Sequence, residues 1–296
     1  MRKLIKRLTP TPLLDWYREL RARRERKRRD RVARSLPPYF QEVFRRLLTE
    51  EMGLVRGDVV CIHSSLSWFR NRLTVEEVLE ILRDVVGREG TLVFPTFPKL
   101  KSYEFLLSGQ VWDIRHTPSN MGIITEVARK MPDAVRSLHP TKSMCAIGPL
   151  AETLTKDHHR SRYPYDACSP YHGLAEHKSK VVGFGVRTDR LSFVHAVDDA
   201  LKDDFPVAPY HDKVFAAKCI DYRNETVVVE TLAHDSAKML HDVPAFMRNH
   251  VAASIARDFE IWGIPFFFAD AGPLFETMLN LARDGRTIYP RSVYKT

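Results

Sequence analysis

The chain has 296 residues, 44% of them hydrophobic and 28% charged, which is enough for one large α/β domain with a buried core. It has no apolar run of the roughly 18 residues needed to cross a membrane, and its four cysteines form no C-x-x-C pair. These features argue against a membrane-spanning protein, a disulfide framework and a zinc ribbon. The net charge of +9 is uneven, because residues 1–46 hold 16 of the 46 Lys and Arg but 5 of the 37 Asp and Glu.

Residues 1–36 are predicted to form a basic helical arm ahead of a main domain over residues 37–296. Thr11-Pro12 has the pattern of a helix start, an arginine tract covers residues 21–34, and Pro37-Pro38 ends the segment. Contact with an anionic membrane surface and a solvated helix are equally good interpretations. Nucleic acid binding ranks below both, because no recognition motif accompanies the arginines. We expect a cytoplasmic protein. Peripheral contact with the inner membrane leaflet and formation of a homodimer are both left open.

The main domain begins with alternating helix and strand signals. Apolar residues at helical spacing cover residues 40–54, a β run follows at residues 58–62, and Thr74 with Glu77 forms a capping box before another amphipathic helix. A second strand, Thr91 to Phe94, stops at Pro95. Strand–helix–strand units with short connections predict a three-layer α/β fold with a central mixed, mostly parallel sheet.

The same pattern continues to the C-terminus. A helix is predicted after Ser119, and the further elements are a strand over residues 181–185, a helix over 191–201, an antiparallel pair at 213–222 and 226–232, a strand over 266–269 and a helix over 271–283.

Three short segments have the composition of an anion or nucleotide site. His63, Ser64, Ser65 and Leu66 follow the first strand, where ligands of α/β sheets bind. Ser119 is expected to cap a helix whose first turn carries Met121 and Gly122. Arg136, Ser137 and Ser143 lie in a polar loop, and the arginine fork suits a phosphate. Each segment taken alone is as typical of an ordinary turn, cap or loop.

A fourth segment contains a candidate acid–base pair. His195 and Asp198 are three residues apart, so they share one face of the predicted helix. A carboxylate beside an imidazole fixes its tautomer and favours its protonated form, as a general base requires. A plain polar pair on a helix has the same spacing.

Together the segments resemble the aminoglycoside 3-N-acetyltransferase family, a fold distinct from the GNAT acetyltransferases. The resemblance runs in order from about residue 40 to 285. Its matching stretches are 57–60 with 63–66, 90–93 with Pro95-Thr96, 117–122, Arg136-Ser137, His139-Pro140, Ser143, Gly148, 168–171 and the helix of His195.

The resemblance implies an acetyl-CoA-dependent N-acetyltransferase acting on a small-molecule amine, with residues 37–296 as the catalytic domain. His63, Ser64, Ser65, Leu66, Ser119, Met121, Gly122, Arg136, Ser137 and Ser143 would hold acetyl-CoA, and His195 with Asp198 would be catalytic. No metal would be needed. The family pattern T-x-x-H-x-x-E is here Ser192, His195 and Asp198, and the shorter carboxylate leaves the acceptor open.

The resemblance implies an aminoglycoside or a related amino sugar as the acceptor, and an amino sugar of surface polysaccharide biosynthesis is the alternative. A catalytically silent coenzyme A-binding protein is a further alternative. A hydrolase using His195, His139, the pair His158-His159 or Cys168 has the same low weight as the silent protein, because metal-ligand spacing is absent and no base is next to Cys168 in sequence.

Overall fold

The computed structural model describes residues 11–70 and 72–295, so the first ten residues of the predicted arm lie outside it. Ten strands occur in the described part. They are β1 (Val59–Ser64), β2 (Thr91–Pro95), β3 (Trp112–Asp113), β4 (Ala134–Arg136), β5 (Met144–Ile147), β6 (Lys180–Phe184), β7 (Tyr210–Ile220), β8 (Thr226–His234), β9 (Ala256–Ile261) and β10 (Ile264–Asp270).

A seven-stranded sheet in the order β4-β5-β2-β1-β6-β10-β9 forms the middle layer. Its centre is parallel, because β1 pairs in parallel with β2 on one side and with β6 on the other. Strands β5 and β10 are antiparallel to their neighbours, so the other five strands run in one direction. This arrangement confirms the predicted α/β fold with a mixed, mostly parallel sheet. A smaller sheet, β3-β7-β8, contains the predicted antiparallel pair.

Helices cover both faces of the large sheet. They are α1 (Thr11–Ser35), α2 (Phe40–Arg46, continued by a π-helical turn over Leu47–Glu51), α3 (Val75–Val86), α4 (Ser102–Ser108), α5 (Ile123–Ala128), α6 (Ala151–Thr155), α7 (Pro170–Glu176), α8 (His195–Leu201), α9 (Val243–His250) and α10 (Ala271–Arg283). Short 3₁₀ turns join several of them.

Side chains of the central strands alternate between two cores. Cys61 and Val181 belong to the core on one face, whereas Val60 and Val182 belong to the core on the other, as the two-residue period of a strand requires. Helix α3 packs on the second core and begins with the predicted capping box, in which the Thr74 hydroxyl accepts from a main-chain N–H of the first turn. Three layers therefore enclose two apolar interiors.

The basic arm is helical, and its second half is attached to the main domain. Ala33 is 6% exposed and Leu36 is 2% exposed, and Leu36 belongs to the same core as Phe40. Trp16 and Tyr17, nearer the start of α1, are exposed. Residues on both sides of the predicted boundary at 36/37 thus pack together. Among the residues that the structure describes, none of the helices combines the length and the apolar composition of a membrane span.

One predicted helix start is wrong. Ser119 does not cap α5, because the N-cap of that helix is Gly122, whose φ of +110° favours glycine. The Ser119 hydroxyl instead lies 2.6 Å from the hydroxyl of Thr125, and its main-chain N–H donates to Glu126. The loop between Ser119 and Gly122 is consequently closed by bonds to the helix that follows it.

Candidate active site

The carboxyl ends of β1, β2 and β6 lie at one edge of the large sheet. His63 and Ser64 end β1, and the N–H of Ser65 donates to Phe184 O at 2.7 Å, which ties this turn to β6. Gly185 follows Phe184 at the end of β6 and has a φ of +70°. A Cβ there would lie 2.6 Å from the carbonyl oxygen of Ser65, so a glycine is required for the two turns to approach.

An open groove of about 540 Å³ runs along this edge. Five of the residues predicted to hold a cofactor line it, namely His63, Ser64, Ser65, Met121 and Gly122. The Nε2 atom of His63 is buried and has no hydrogen-bond partner in the described structure, and burial lowers the pKa of His63 to about 4. His63 therefore contributes a neutral imidazole to the lining of this ligand-sized space, which we call the strand-end groove.

His195 lies at the start of α8 and forms a hydrogen-bonded network with two other side chains. Its Nδ1 is 3.0 Å from Oδ2 of Asp198, and the Tyr289 hydroxyl donates to the same carboxylate oxygen at 2.6 Å. His195 is 7% exposed, Asp198 3% and Tyr289 4%. The predicted i,i+3 pair is therefore present and buried, and a residue 91 positions away in sequence completes it.

Burial governs the proton equilibria of this network. Burial lowers the pKa of His195, because the charged imidazolium is poorly solvated in the interior. The ammonium of Lys142 adds to this effect, and the resulting pKa is about 3. Burial raises the pKa of Asp198 to about 8, although the hydrogen bond from Tyr289 acts in the opposite direction. His195 is thus neutral at pH 7, and burial also favours the protonated, neutral carboxyl of Asp198.

Contacts between rings and a cation connect the strand-end groove with His195. The N–H of Asn120, a groove residue, donates to Phe97 O. Lys142 Nζ lies 4.7 Å from the ring centre of Phe97 and 5.8 Å from that of Tyr165, which is itself 5.4 Å from the imidazole of His195. Burial lowers the pKa of Lys142 to about 8. Sequence reasoning included Lys142 in the polar loop between Arg136 and Ser143 without giving it a role, and it missed Tyr289, which belongs to no local motif.

The remaining predicted cofactor residues lie elsewhere. Arg136 is 3% exposed, and its guanidinium donates to the Thr96 hydroxyl and to three main-chain carbonyls, with the Trp112 ring 4.7 Å away. Ser137 and Ser143 are fully buried and bond to each other's segment. These three side chains hold the loop together. Leu66 packs into the core beside the groove.

Two of the side chains considered for a hydrolase, His139 and His158, are already hydrogen-bonded in the structure. His139 Nδ1 accepts two main-chain N–H groups, and its ring stacks on His158 at 4.4 Å. His158 bonds to the Ser137 hydroxyl and to a main-chain carbonyl. Burial and nearby carboxylates raise the pKa of the Cys168 thiol, which makes its thiolate less accessible.

A buried imidazole–carboxylate–phenol network and an open groove at the carboxyl edge of a mostly parallel sheet are typical of an α/β enzyme. A model of the aminoglycoside 3-N-acetyltransferase family matches residues 61–281. The chain belongs to this family of acyltransferases, and the resemblance seen in the sequence is confirmed.

Curated relatives support the assignment. The aminoglycoside N(3)-acetyltransferase IX of Micromonospora chalcea is 26% identical over 252 residues, covering 78% of this chain and 89% of the relative. The aminoglycoside N(3)-acetyltransferase III of Serratia marcescens is 32% identical over 161 residues, covering 49% of this chain and 58% of the relative.

Solved structures share the fold. Aminoglycoside acetyltransferase AAC(3)-Xa superposes with a TM-score of 0.71 at 21% identity, over 90% of this chain and 99% of its own. AAC-IIIb, solved as a binary complex with CoASH, gives a TM-score of 0.68 at 19% identity, over 84% of this chain and 98% of its own. A gentamicin complex of AAC(3)-IVa gives 0.62 at 22% identity, over 79% of this chain and 85% of its own.

Proposed function

We propose that this protein transfers the acetyl group of acetyl-CoA to an amino group of an aminoglycoside or a related amino sugar, with His195 as the general base. The observation that carries the proposal is the buried network in which Asp198 and Tyr289 hold Nδ1 of His195. Family membership and the CoASH complex of AAC-IIIb support acetyl-CoA as the donor.

The proposed step is a direct transfer. The neutral amine attacks the thioester carbonyl, a C–N bond forms, and the amine proton passes to Nε2 of His195. The C–S bond then breaks, and the coenzyme A thiolate takes the proton from His195 and leaves as the thiol, which restores the neutral imidazole. Because Asp198 faces Nδ1, a deprotonated carboxylate stabilises the imidazolium during this step. The Lys142 ammonium lies near the ring of Tyr165, which in turn contacts the imidazole of His195. From there it favours the negative charge that develops on the thioester oxygen.

The donor would lie in the strand-end groove. His63, Ser64 and Ser65 line the groove from the β1 exit, and Met121 and Gly122 line it from the loop before α5. The unpaired Nε2 of His63 suits an amide or carbonyl of the pantetheine chain, because a buried polar atom gains most when a ligand supplies its partner.

The acceptor would enter from a second cavity, of about 590 Å³, that reaches Asp198 and Asp199. Its lining contains five cationic side chains, namely Arg162, Lys202, Lys213, Lys238 and Lys295, and two further carboxylates, Asp203 and Asp212. Asp199 is buried and accepts hydrogen bonds from Tyr210 and from the N–H of Tyr165, so both of its carboxyl oxygens already have partners. We call this space the lysine-rimmed cavity.

The lysine-rimmed cavity favours a second candidate acceptor. An aminoglycoside is a polycation, and a rim with more ammonium than free carboxylate groups repels it. An amino sugar that carries a phosphate or a carboxylate, as in precursors of surface polysaccharides, matches this rim better. The reaction and the base are the same for both acceptors.

One assay tests the reaction and separates the acceptors. Thiol release from acetyl-CoA is followed with gentamicin, sisomicin, neutral amino sugars and amino sugar phosphates, for the wild type, His195→Ala and the exposed control His250→Ala. Release should require an amine and fall roughly 10²- to 10⁴-fold in His195→Ala, as expected for loss of a general base. The His250→Ala control should keep the wild-type rate.

Each contrary outcome is informative. Thiol release without an amine would indicate a hydrolase, and a wild type that neither turns over nor binds coenzyme A in a thermal-shift assay would contradict the proposal and favour a silent homologue. A higher kcat/KM for gentamicin than for the amino sugar phosphates would reject the acidic acceptor.

A further inference from the structure

Helix α1 forms one wall of the strand-end groove, although it precedes the region that the family model matches. Arg28 and Arg29 of this helix line the groove, and Arg187 and Arg190 line it from the loop that follows β6. Four guanidinium groups from two distant segments of the chain thus meet at one cavity.

The main domain sets the position of the two arginines of α1. Arg28 donates to the carbonyl of Gly263 at 3.0 Å, and Arg29 donates to the hydroxyl of Ser67 at 3.0 Å. Their guanidinium carbons lie 5.3 and 5.4 Å from the ring centre of Trp68, which is 1% exposed. Stacking on an aromatic ring and hydrogen bonding orient both groups, so they do not behave as free surface arginines.

The carboxylates near these arginines do not occupy all of the guanidinium N–H groups. Arg28 and Arg187 share one partner, Glu260, at 3.3 and 2.9 Å. Nε of Arg29 is buried without a hydrogen bond in the described structure, and its nearest carboxylate, Glu25, is 3.5 Å away. Partly exposed ion pairs of this kind contribute little, so a multiply charged anion can replace them readily.

We propose that Arg28, Arg29, Arg187 and Arg190 bind the phosphate groups of the coenzyme A nucleotide. A guanidinium fork matches a phosphate in shape and charge, and four of them suit a ligand with a diphosphate and a 3′-phosphate. The same groove is lined by His63, where the proposed function places the pantetheine chain. This inference rests on the proposed function and gives the basic arm a role in donor binding.

The test compares the double variant Arg28→Gln/Arg29→Gln with the matched variant Arg21→Gln/Arg24→Gln, which removes two exposed charges from the same helix. Calorimetry measures the Kd of coenzyme A, and kinetics compare acetyl-CoA with acetyl-pantetheine, which lacks the nucleotide. We expect roughly tenfold or weaker coenzyme A binding in the first variant and a similar rise in its KM for acetyl-CoA. Its kcat/KM for acetyl-pantetheine should match that of the wild type, and the Arg21/Arg24 variant should bind coenzyme A normally.

If the double variant detaches α1 from the main domain, Arg187→Gln tests the same phosphate site without changing the helix. Equal coenzyme A affinity in the wild type, the double variant and Arg187→Gln would overturn the inference while leaving the proposed acetyl transfer intact. Loss of anionic-vesicle binding with unchanged coenzyme A affinity would also overturn it and assign the arginines to lipid. A wild type without any coenzyme A affinity would reject the proposed function together with this inference.

Discussion

Replacing Tyr289 by phenylalanine removes the hydroxyl that donates to Asp198 at 2.6 Å and leaves the ring in place. This hydrogen bond lowers the pKa of Asp198, which burial holds at about 8. A hydrogen bond to a charged group contributes about 1.5–3 kcal/mol, and one pKa unit corresponds to about 1.4 kcal/mol. The apparent pKa of the base pair should therefore rise by roughly one to two units.

The expected consequence is a displaced pH profile. Well below the pKa, each unit reduces the fraction of deprotonated pair tenfold, so kcat/KM near pH 7 should fall roughly tenfold to a hundredfold. The rate at the alkaline plateau should stay close to that of the wild type. The assay is thiol release from acetyl-CoA between pH 6 and 11, with one acceptor for both enzymes so that titration of the amine is the same.

Tyr294→Phe is the matched control. The Tyr294 hydroxyl bonds to Thr287 and to the carbonyl of Gly285, so this variant loses a phenol from the same segment without touching Asp198. Its profile should keep the wild-type pKa. If Tyr289→Phe lowers the plateau and leaves the pKa unchanged, Tyr289 does not act through the carboxylate, and the reasoning is refuted.

Two further predictions concern stability and the arm. Folding raises the pKa of Asp198 from 3.8 to about 8. The contribution of this carboxyl to the free energy of unfolding is therefore fully present below about pH 4 and is lost as the pH rises through 8. Asp198→Asn should therefore become more stable relative to the wild type as pH rises from 4 to 9 in urea unfolding, and a difference independent of pH would contradict this. Lipid contact of the arm stays a prediction. A variant lacking residues 1–24, which retains Arg28 and Arg29, should sediment less with phosphatidylserine vesicles than the complete sequence, whereas equal sedimentation would reject lipid contact.

Local patterns in the sequence predicted much of the fold. The capping box of Thr74 and Glu77 and the strand exit at His63 depend on residues within a few positions, and the structure contains both. The spacing of His195 and Asp198 likewise predicted their contact, because residues three apart share a helix face.

Contacts between distant segments were beyond such patterns. Tyr289 reaches Asp198 across 91 residues, and no feature of either segment indicates the other. Arg136 was predicted to meet a phosphate, but the fold gathers three carbonyls around its guanidinium, which only the tertiary structure brings together. The arginines of α1 were predicted to contact a membrane surface or solvent. Their approach to the groove depends on packing against Trp68, which no local pattern in the sequence indicates.

The docking of the segment after α10 has a consequence for heat inactivation. Ile288 and Tyr289 are buried, and a main-chain bond from Lys295 to Pro206 and a β-bridge between Tyr294 and Val207 fasten the segment. These ties are few compared with those of the central sheet, so the segment can open locally at a lower free energy than the whole domain. Each opening takes the phenol away from Asp198. We therefore expect this short segment to set the temperature at which the network fails, and we expect that temperature to lie below the melting temperature of the fold.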